Sequence, residues 1–231
     1  MSIPKIIHQI WLGKLFIPLV FKRLSDSWQT QYLDWEYFFW NTDKATEFVN
    51  QEFPQYVSLY NTLSYDVQRV DLLKYLILLK FGGVYIDIDY EPLKSIEPIL
   101  ENQALCFGLE PKQYSDFHQA EYFLGNAFMA SIPNHEFLSQ LVEHISDNLA
   151  SVDIPKENKY YYVMNSTGPL LLNNFYQSYL SKQEVTLIPS EQICPLDSVE
   201  AKNYFLGGDK AKYRQKLEKS FAIHLFAGTW L

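Results

Sequence analysis

The chain has 231 residues, 48% hydrophobic and 16% aromatic, enough apolar material for a large core and too much for a disordered chain. A net charge of −8 argues against a nucleic-acid groove and supplies no overall basic stripe for anionic lipid. Repeats, low-complexity tracts and linkers are absent, so residues 1–231 are expected to form one domain.

The opening Met1-Ser2-Ile3-Pro4-Lys5, with His8 and Gln9 interrupting any apolar run, does not read as a signal peptide. Residues 5–11 are β-rich and enter a turn at Gly13, which predicts a first strand. Val20, Leu24 and Trp28 recur at helical spacing, so residues 18–32 read as a helix. Residues 35–40 read as a second strand, residues 44–51 as a helix capped from Asn41-Thr42-Asp43, and residues 54–63 as a short helix. Residues 65–80 carry the strongest helix pattern, with Gln68, Asp71 and Lys74 along one polar stripe. Further strands are expected at 104–109, 127–130, 185–189 and 221–226, and helices at 134–149 and 169–180. Residues 111–123 read as a polar, aromatic flap, 155–162 as a loop and 201–213 as a mobile segment. Cys106 and Cys194 form no CxxC and read as reduced, buried thiols of a cytoplasmic protein without a zinc site. No apolar run reaches the roughly 20 residues that span a bilayer. A peripheral position at the inner face of a membrane is compatible with that.

Everything else is organised around Phe81-Gly82-Gly83-Val84-Tyr85-Ile86-Asp87-Ile88-Asp89. Gly82 can take the left-handed conformation that ends a helix, and Gly83 lets the chain turn at once into a β-branched strand. In an extended strand, side chains at i and i+2 share a face, so Asp87 and Asp89 are expected to point together at the strand's carboxyl end. Paired carboxylates there suit a hard divalent cation, Mn²⁺ or Mg²⁺, itself bound to phosphate oxygens. A cation also supplies the counter-charge that an acidic protein needs to bind an anionic nucleotide.

This run resembles the sugar-binding core of glycosyltransferase family 32, whose pattern is roughly Asp-x-x-Arg, an apolar helix, Gly-Gly-x-Tyr and Asp-x-Asp. Asp71, Lys74, Gly82, Gly83, Tyr85, Asp87 and Asp89 stand in that register, with lysine where the family usually has arginine. It also resembles the catalytic core of the glucosylating toxins. The resemblance implies a GT-A-type α/β fold, a mainly parallel central sheet flanked by helices. It implies transfer of a hexose, with retention, from UDP- or GDP-hexose to a glycan or glycolipid acceptor in surface polysaccharide synthesis. Asp87 and Asp89 would hold the metal, and Asp71, Lys74, Gly83 and Tyr85 would meet the donor. Trp11 would stack on the nucleobase, though a tryptophan at a strand end also serves as a core aromatic. Asn126 in Gly125-Asn126-Ala127 would face the donor sugar, or simply make a turn. Thr167-Gly168-Pro169 resembles a helix entry on the acceptor side. In 222–230, His224 would complete the metal shell, while Thr229 and Trp230 would close over the diphosphate. No base or nucleophile is identifiable; Glu110, Asp116 and Glu121 are nearby acids by sequence only. Two other classes stay open. One is a sugar nucleotidyltransferase, which needs a richer phosphate loop than Leu12-Gly13-Lys14; the other is a non-catalytic sugar- or calcium-binding protein, though an EF-hand-like loop needs carboxylates and a glycine at closer intervals than Asp87-x-Asp89 supplies.

Overall fold

A computed structural model describes residues 2–13, 16–151 and 158–228. Strand β1 (Ile6–Ile10) is buried from Ile7 onward, as a strand covered on both faces must be. Helix α1 (Leu19–Gln31) turns Phe21, Ser25 and Trp28 inward at spacings of three and four. Strand β2 (Glu36–Trp40) lies at a sheet edge and is partly exposed. The Asn41 side chain caps α2 (Thr42–Glu52) by accepting the Lys44 N–H at 3.0 Å. After α3 (Val57–Thr62) comes α4 (Asp66–Phe81), buried continuously from Asp71 to Leu78. It ends at Gly82, whose φ of 64° only glycine adopts freely.

The chain continues through β3 (Gly83–Ile86), β4 (Tyr90–Pro92), α5 (Glu97–Leu100), β5 (Leu105–Leu109), α6 (Lys112–Phe117) and β6 (Leu124–Ser131). Then follow α7 (Glu136–Ser151), α8 (Lys159–Ser166), α9 (Pro169–Ser178), β7 (Thr186–Ile188) and α10 (Ser190–Ile193). The last described elements are α11 (Ser198–Phe205), α12 (Arg214–Leu217) and β8 (Ala222–His224).

Among the described residues, six strands form one sheet in the order β2-β1-β3-β6-β5-β7. The β1–β2, β1–β3 and β5–β7 pairs are parallel, while β6 runs antiparallel to both its neighbours. The α/β architecture with a mainly parallel sheet is therefore present, with β6 as the reversed strand. One face packs on α4, α7 and α9 through Leu72, Leu76, Phe137, Leu141 and Leu172; the other packs on α1 through Trp28, Ile7, Val84 and Ile86. A small antiparallel sheet of β4 and β8 pairs Tyr90 with His224. That pairing brings β8 to the Asp-x-Asp turn.

Several expectations are corrected here. Residues 111–123, expected as a surface loop or flap, contain the short helix α6, and Tyr114 stacks on Phe226 at 5.6 Å. Residues 159–162 open α8, with Asn158 as its cap. The segment expected to be mobile begins inside α11, whose cap Asp197 accepts the Val199 and Glu200 N–H groups at 2.8 Å. Strand β6 is twice the expected length, whereas β8 has three residues.

His8 is a core histidine, as its apolar strand suggests. Trp40 Nε1 donates to its Nδ1 at 3.3 Å, so the proton is on Nε2, which donates to the Gly82 carbonyl at 3.0 Å. Burial pulls its pKa down to about 4. A depressed folded-state pKa gives stability that is complete above the unfolded value near 6.5 and is lost as pH falls toward 4. Wild-type protein is therefore expected to lose about 2 kcal/mol more stability than His8→Gln between pH 7 and pH 5. Denaturant unfolding at the two pH values checks this, and parallel profiles would count against it.

Candidate active site

Strand β3 stops at Ile86, one residue before the first carboxylate. Gly83 seats this strand on β1. A Cβ there would lie 2.6 Å from the Ile6 carbonyl oxygen, and the φ of +89° disfavours a side chain in any case. The Asp87 N–H donates to the Ala127 carbonyl at 2.8 Å, and Tyr90 N–H returns to the Asp87 carbonyl at 3.2 Å. Asp87 and Asp89 thus converge through a turn, not through strand alternation, which corrects the geometric reason expected from the sequence. Tyr85 OH holds Asp87 Oδ1 at 2.5 Å.

Asp89 is tied to β8 and to the residues just after it. Its Oδ2 accepts the Ala227 N–H at 2.8 Å, its carbonyl accepts the Leu225 N–H at 3.0 Å, and its Oδ1 lies 3.4 Å from His224 Nε2. The His224 ring stacks on Tyr90 at 4.6 Å. One atom each from Asp87, Asp89 and His224 lie within 4.8 Å of one another. Burial alone would keep His224 neutral, but Asp89, Glu110 and Asp87 raise its pKa to about 9. Burial raises Asp87, against the pull of Lys74, and the Asp89 charge adds to the rise. Asp89 is also buried, yet His224 and the Ala227 N–H hold it below the usual carboxylate range.

These residues fit a divalent cation. Two carboxylates and an imidazole are a suitable donor set, and crowding the half-buried Asp87 against the buried Asp89 is unfavourable until a cation joins them. His224 Nδ1 is moreover buried without a hydrogen-bond partner among the described residues.

A second network sits beside the first. Lys74 Nζ pairs with Asp71 Oδ1 at 2.8 Å, and both side chains are almost fully buried. Asn126 Nδ2 donates to Asp71 Oδ1 at 2.9 Å and reaches the Tyr75 hydroxyl at 3.2 Å. Thr167 Oγ1 donates to Asp71 Oδ2 at 2.9 Å. Asp71 Oδ2 therefore keeps room for another donor. Lys74 Nζ also lies 5.2 Å from the centre of the Tyr85 ring, linking this network to Asp87. The polar stripe of α4 is thus turned into the protein, with Gln68 bonded to Ser166 at 2.7 Å.

Glu110 belongs to the site, whereas Asp116 and Glu121 are exposed. It follows β5, its carboxyl lies against Gly125, and burial raises its pKa. Glu110, Cys194 and His224 form a second close group, and the Cys194 thiol donates weakly to Glu110 at 3.9 Å. The sequence signal for Glu110 was its place at a strand end, the same kind of position as Asp87. Thr167 was legible only as a helix entry. Trp11 is half-buried at the end of β1, its ring 5.9 Å from Phe21. Thr229 and Trp230 lie outside the described residues.

Residues 18–106 match the family model described as a glycosyltransferase sugar-binding region containing a DXD motif. The chain is 30% identical over 178 residues to inositol phosphoceramide mannosyltransferase 3 of Schizosaccharomyces pombe, covering 77% of this chain and 46% of that protein. It thus spans about half of that relative's length. An uncharacterized glycosyltransferase of Acanthamoeba polyphaga mimivirus is 28% identical over 87% of this chain and 76% of its own. Among solved structures, the PaToxG glycosyltransferase superposes with a TM-score of 0.57 at 16% identity, covering 96% of this chain and 89% of its own. Residues 18–106 thus match a glycosyltransferase sugar-binding region that contains a DXD motif, and the chain's fold is similar to that of a solved glycosyltransferase.

Proposed function

We propose that the protein transfers a hexose from a nucleoside-diphosphate sugar, UDP- or GDP-linked, to a glycolipid acceptor, and that it needs a divalent cation to do so. The observation that carries this reading is the convergence of Asp87, Asp89 and His224 at the carboxyl end of β3. These three residues would hold Mn²⁺ or Mg²⁺. The cation, when bound, supplies Lewis-acid stabilisation of the departing nucleoside diphosphate. The glycolipid acceptor is favoured by the name of the S. pombe relative, which acts on inositol phosphoceramide.

The chain's own residues do the rest. Tyr85 fixes the Asp87 carboxylate in one orientation. Lys74 sets a buried positive charge near the carboxylates, within reach of Asp71 and the Tyr85 ring. Asp71, steadied by Lys74, Asn126 and Thr167, offers its remaining lone pair to a donor hydroxyl. Trp11, partly exposed at the end of β1, stacks on the base. Incubation with a panel of nucleotide sugars, with Mn²⁺ or chelator, tests the reading. Slow hydrolysis of one or two donors, only with metal, is expected. Failure to bind or hydrolyse any of them would oppose it.

A further inference from the structure

The chain-wide charge of −8 conceals a local reversal. Between residues 198 and 219, six lysines and arginines stand against three carboxylates. Helix α11 turns Ala201 and Tyr204 inward, into a cluster with Leu196, Tyr213, Ile223 and Leu225. Its outer face carries Val199, Lys202 and Phe205 at helical spacing, and Leu206 follows as the residue that caps its end. Val199 is 68% exposed, Phe205 46% and Leu206 71%. The chain then turns at Gly207-Gly208 into exposed Lys210, Lys212 and Arg214. Lys216 is paired with Glu200, whereas Lys202, Lys212, Arg214 and Lys219 have no carboxylate partner among the described residues.

We infer that this face docks on an anionic lipid bilayer. Exposed apolar side chains in one short segment with cations that lack a carboxylate partner match a surface whose interior is apolar and whose rim is negative. The net negative charge of the rest of the chain favours an orientation with this face toward an anionic surface. The location suits the reaction. The α11 cluster is rooted on Ile223 and Leu225, which flank His224. Docking there holds the Asp89–His224 site close to the layer in which a lipid-linked acceptor presents its head group. That last step rests on the glycolipid acceptor proposed above; the docking itself does not.

Co-sedimentation of the full chain with vesicles, in the absence of metal, donor and acceptor, tests it. Binding is expected to phosphatidylcholine vesicles containing phosphatidylglycerol, weak to phosphatidylcholine alone, and reduced by salt. Lys202→Gln with Lys212→Gln should lower the partition coefficient on the order of 30-fold, from the contribution per basic residue near such a surface. Phe205→Ser with Leu206→Ser should lower it about tenfold or more, because shallow insertion is lost. Lys22→Gln with Lys44→Gln, on other exposed helices, should leave binding unchanged. All variants should keep the wild-type circular dichroism and melting temperature, and their hydrolysis of a soluble donor. No binding to anionic vesicles, or equal binding by wild type and both patch variants, overturns the inference. So does concentration-dependent self-association that Phe205→Ser abolishes, with no vesicle binding. If the donor screen fails while vesicle binding follows the patch, the docking stands and the proposed reaction falls.

Discussion

Asp87→Asn and Asp89→Asn are each expected to lose transfer and donor hydrolysis by roughly a thousandfold, the several kcal/mol that a catalytic metal contributes. Asparagine preserves shape, and its carbonyl oxygen can still accept from Tyr85 OH at position 87 and from the Ala227 N–H at position 89. The fold should therefore survive. The two variants should differ in thermal melting without metal. Asp87→Asn removes an anion that burial and the neighbouring Asp89 already disfavour, so its melting temperature should hold or rise. Asp89→Asn leaves His224 without the carboxylate that compensates its burial, so its melting temperature should fall. Initial rates and melting curves check both halves. A full rate in either variant would remove the carboxylates from the chemistry.

Breaking the buried Asp71–Lys74 pair should be the most destabilising change in the site. Both partners are buried, so Lys74→Ala strands the Asp71 charge, and Asp71→Ala strands the Lys74 charge. Each is expected to cost about 3–5 kcal/mol of unfolding free energy. Removing both together, Asp71→Asn with Lys74→Met, should cost less than the two single losses combined, since no buried charge is left unpaired. Lys74→Arg keeps the charge and should recover most of the stability. Denaturant unfolding of the four variants measures this. A cost below about 1 kcal/mol for Lys74→Ala would mark the lysine as a solvated helix charge.

Long periodic segments were legible because periodicity sums over many residues. Helix α4 and the glycine turn after it are where the apolar pattern and Gly82 place them. The short elements were not: β4 includes a proline, and α5 and α10 have four residues each, too few for any period to register. Asp87 and Asp89 were legible as a pair, yet the turn that brings them together is written in the contacts of Asp87 with Ala127 and of Asp89 with Ala227. No local pattern encodes such partners. Glu110, Cys194 and Thr167 reach the site through tertiary packing in the same way. The stripe of Gln68, Asp71 and Lys74 was read correctly as one face of α4, but polarity alone could not say that it faces inward. The basic face around α11 was hidden because charge was summed over the whole chain.

Calorimetric titration of the nucleoside diphosphate product, UDP and GDP in turn, into the protein with and without Mn²⁺ tests the central claim most directly. One of the two is expected to bind at least about tenfold more tightly with Mn²⁺ than with chelator, and Asp89→Asn should abolish that difference. Equal affinity with and without the cation, or a Mn²⁺ effect that survives in Asp89→Asn, would contradict a metal held by Asp87, Asp89 and His224.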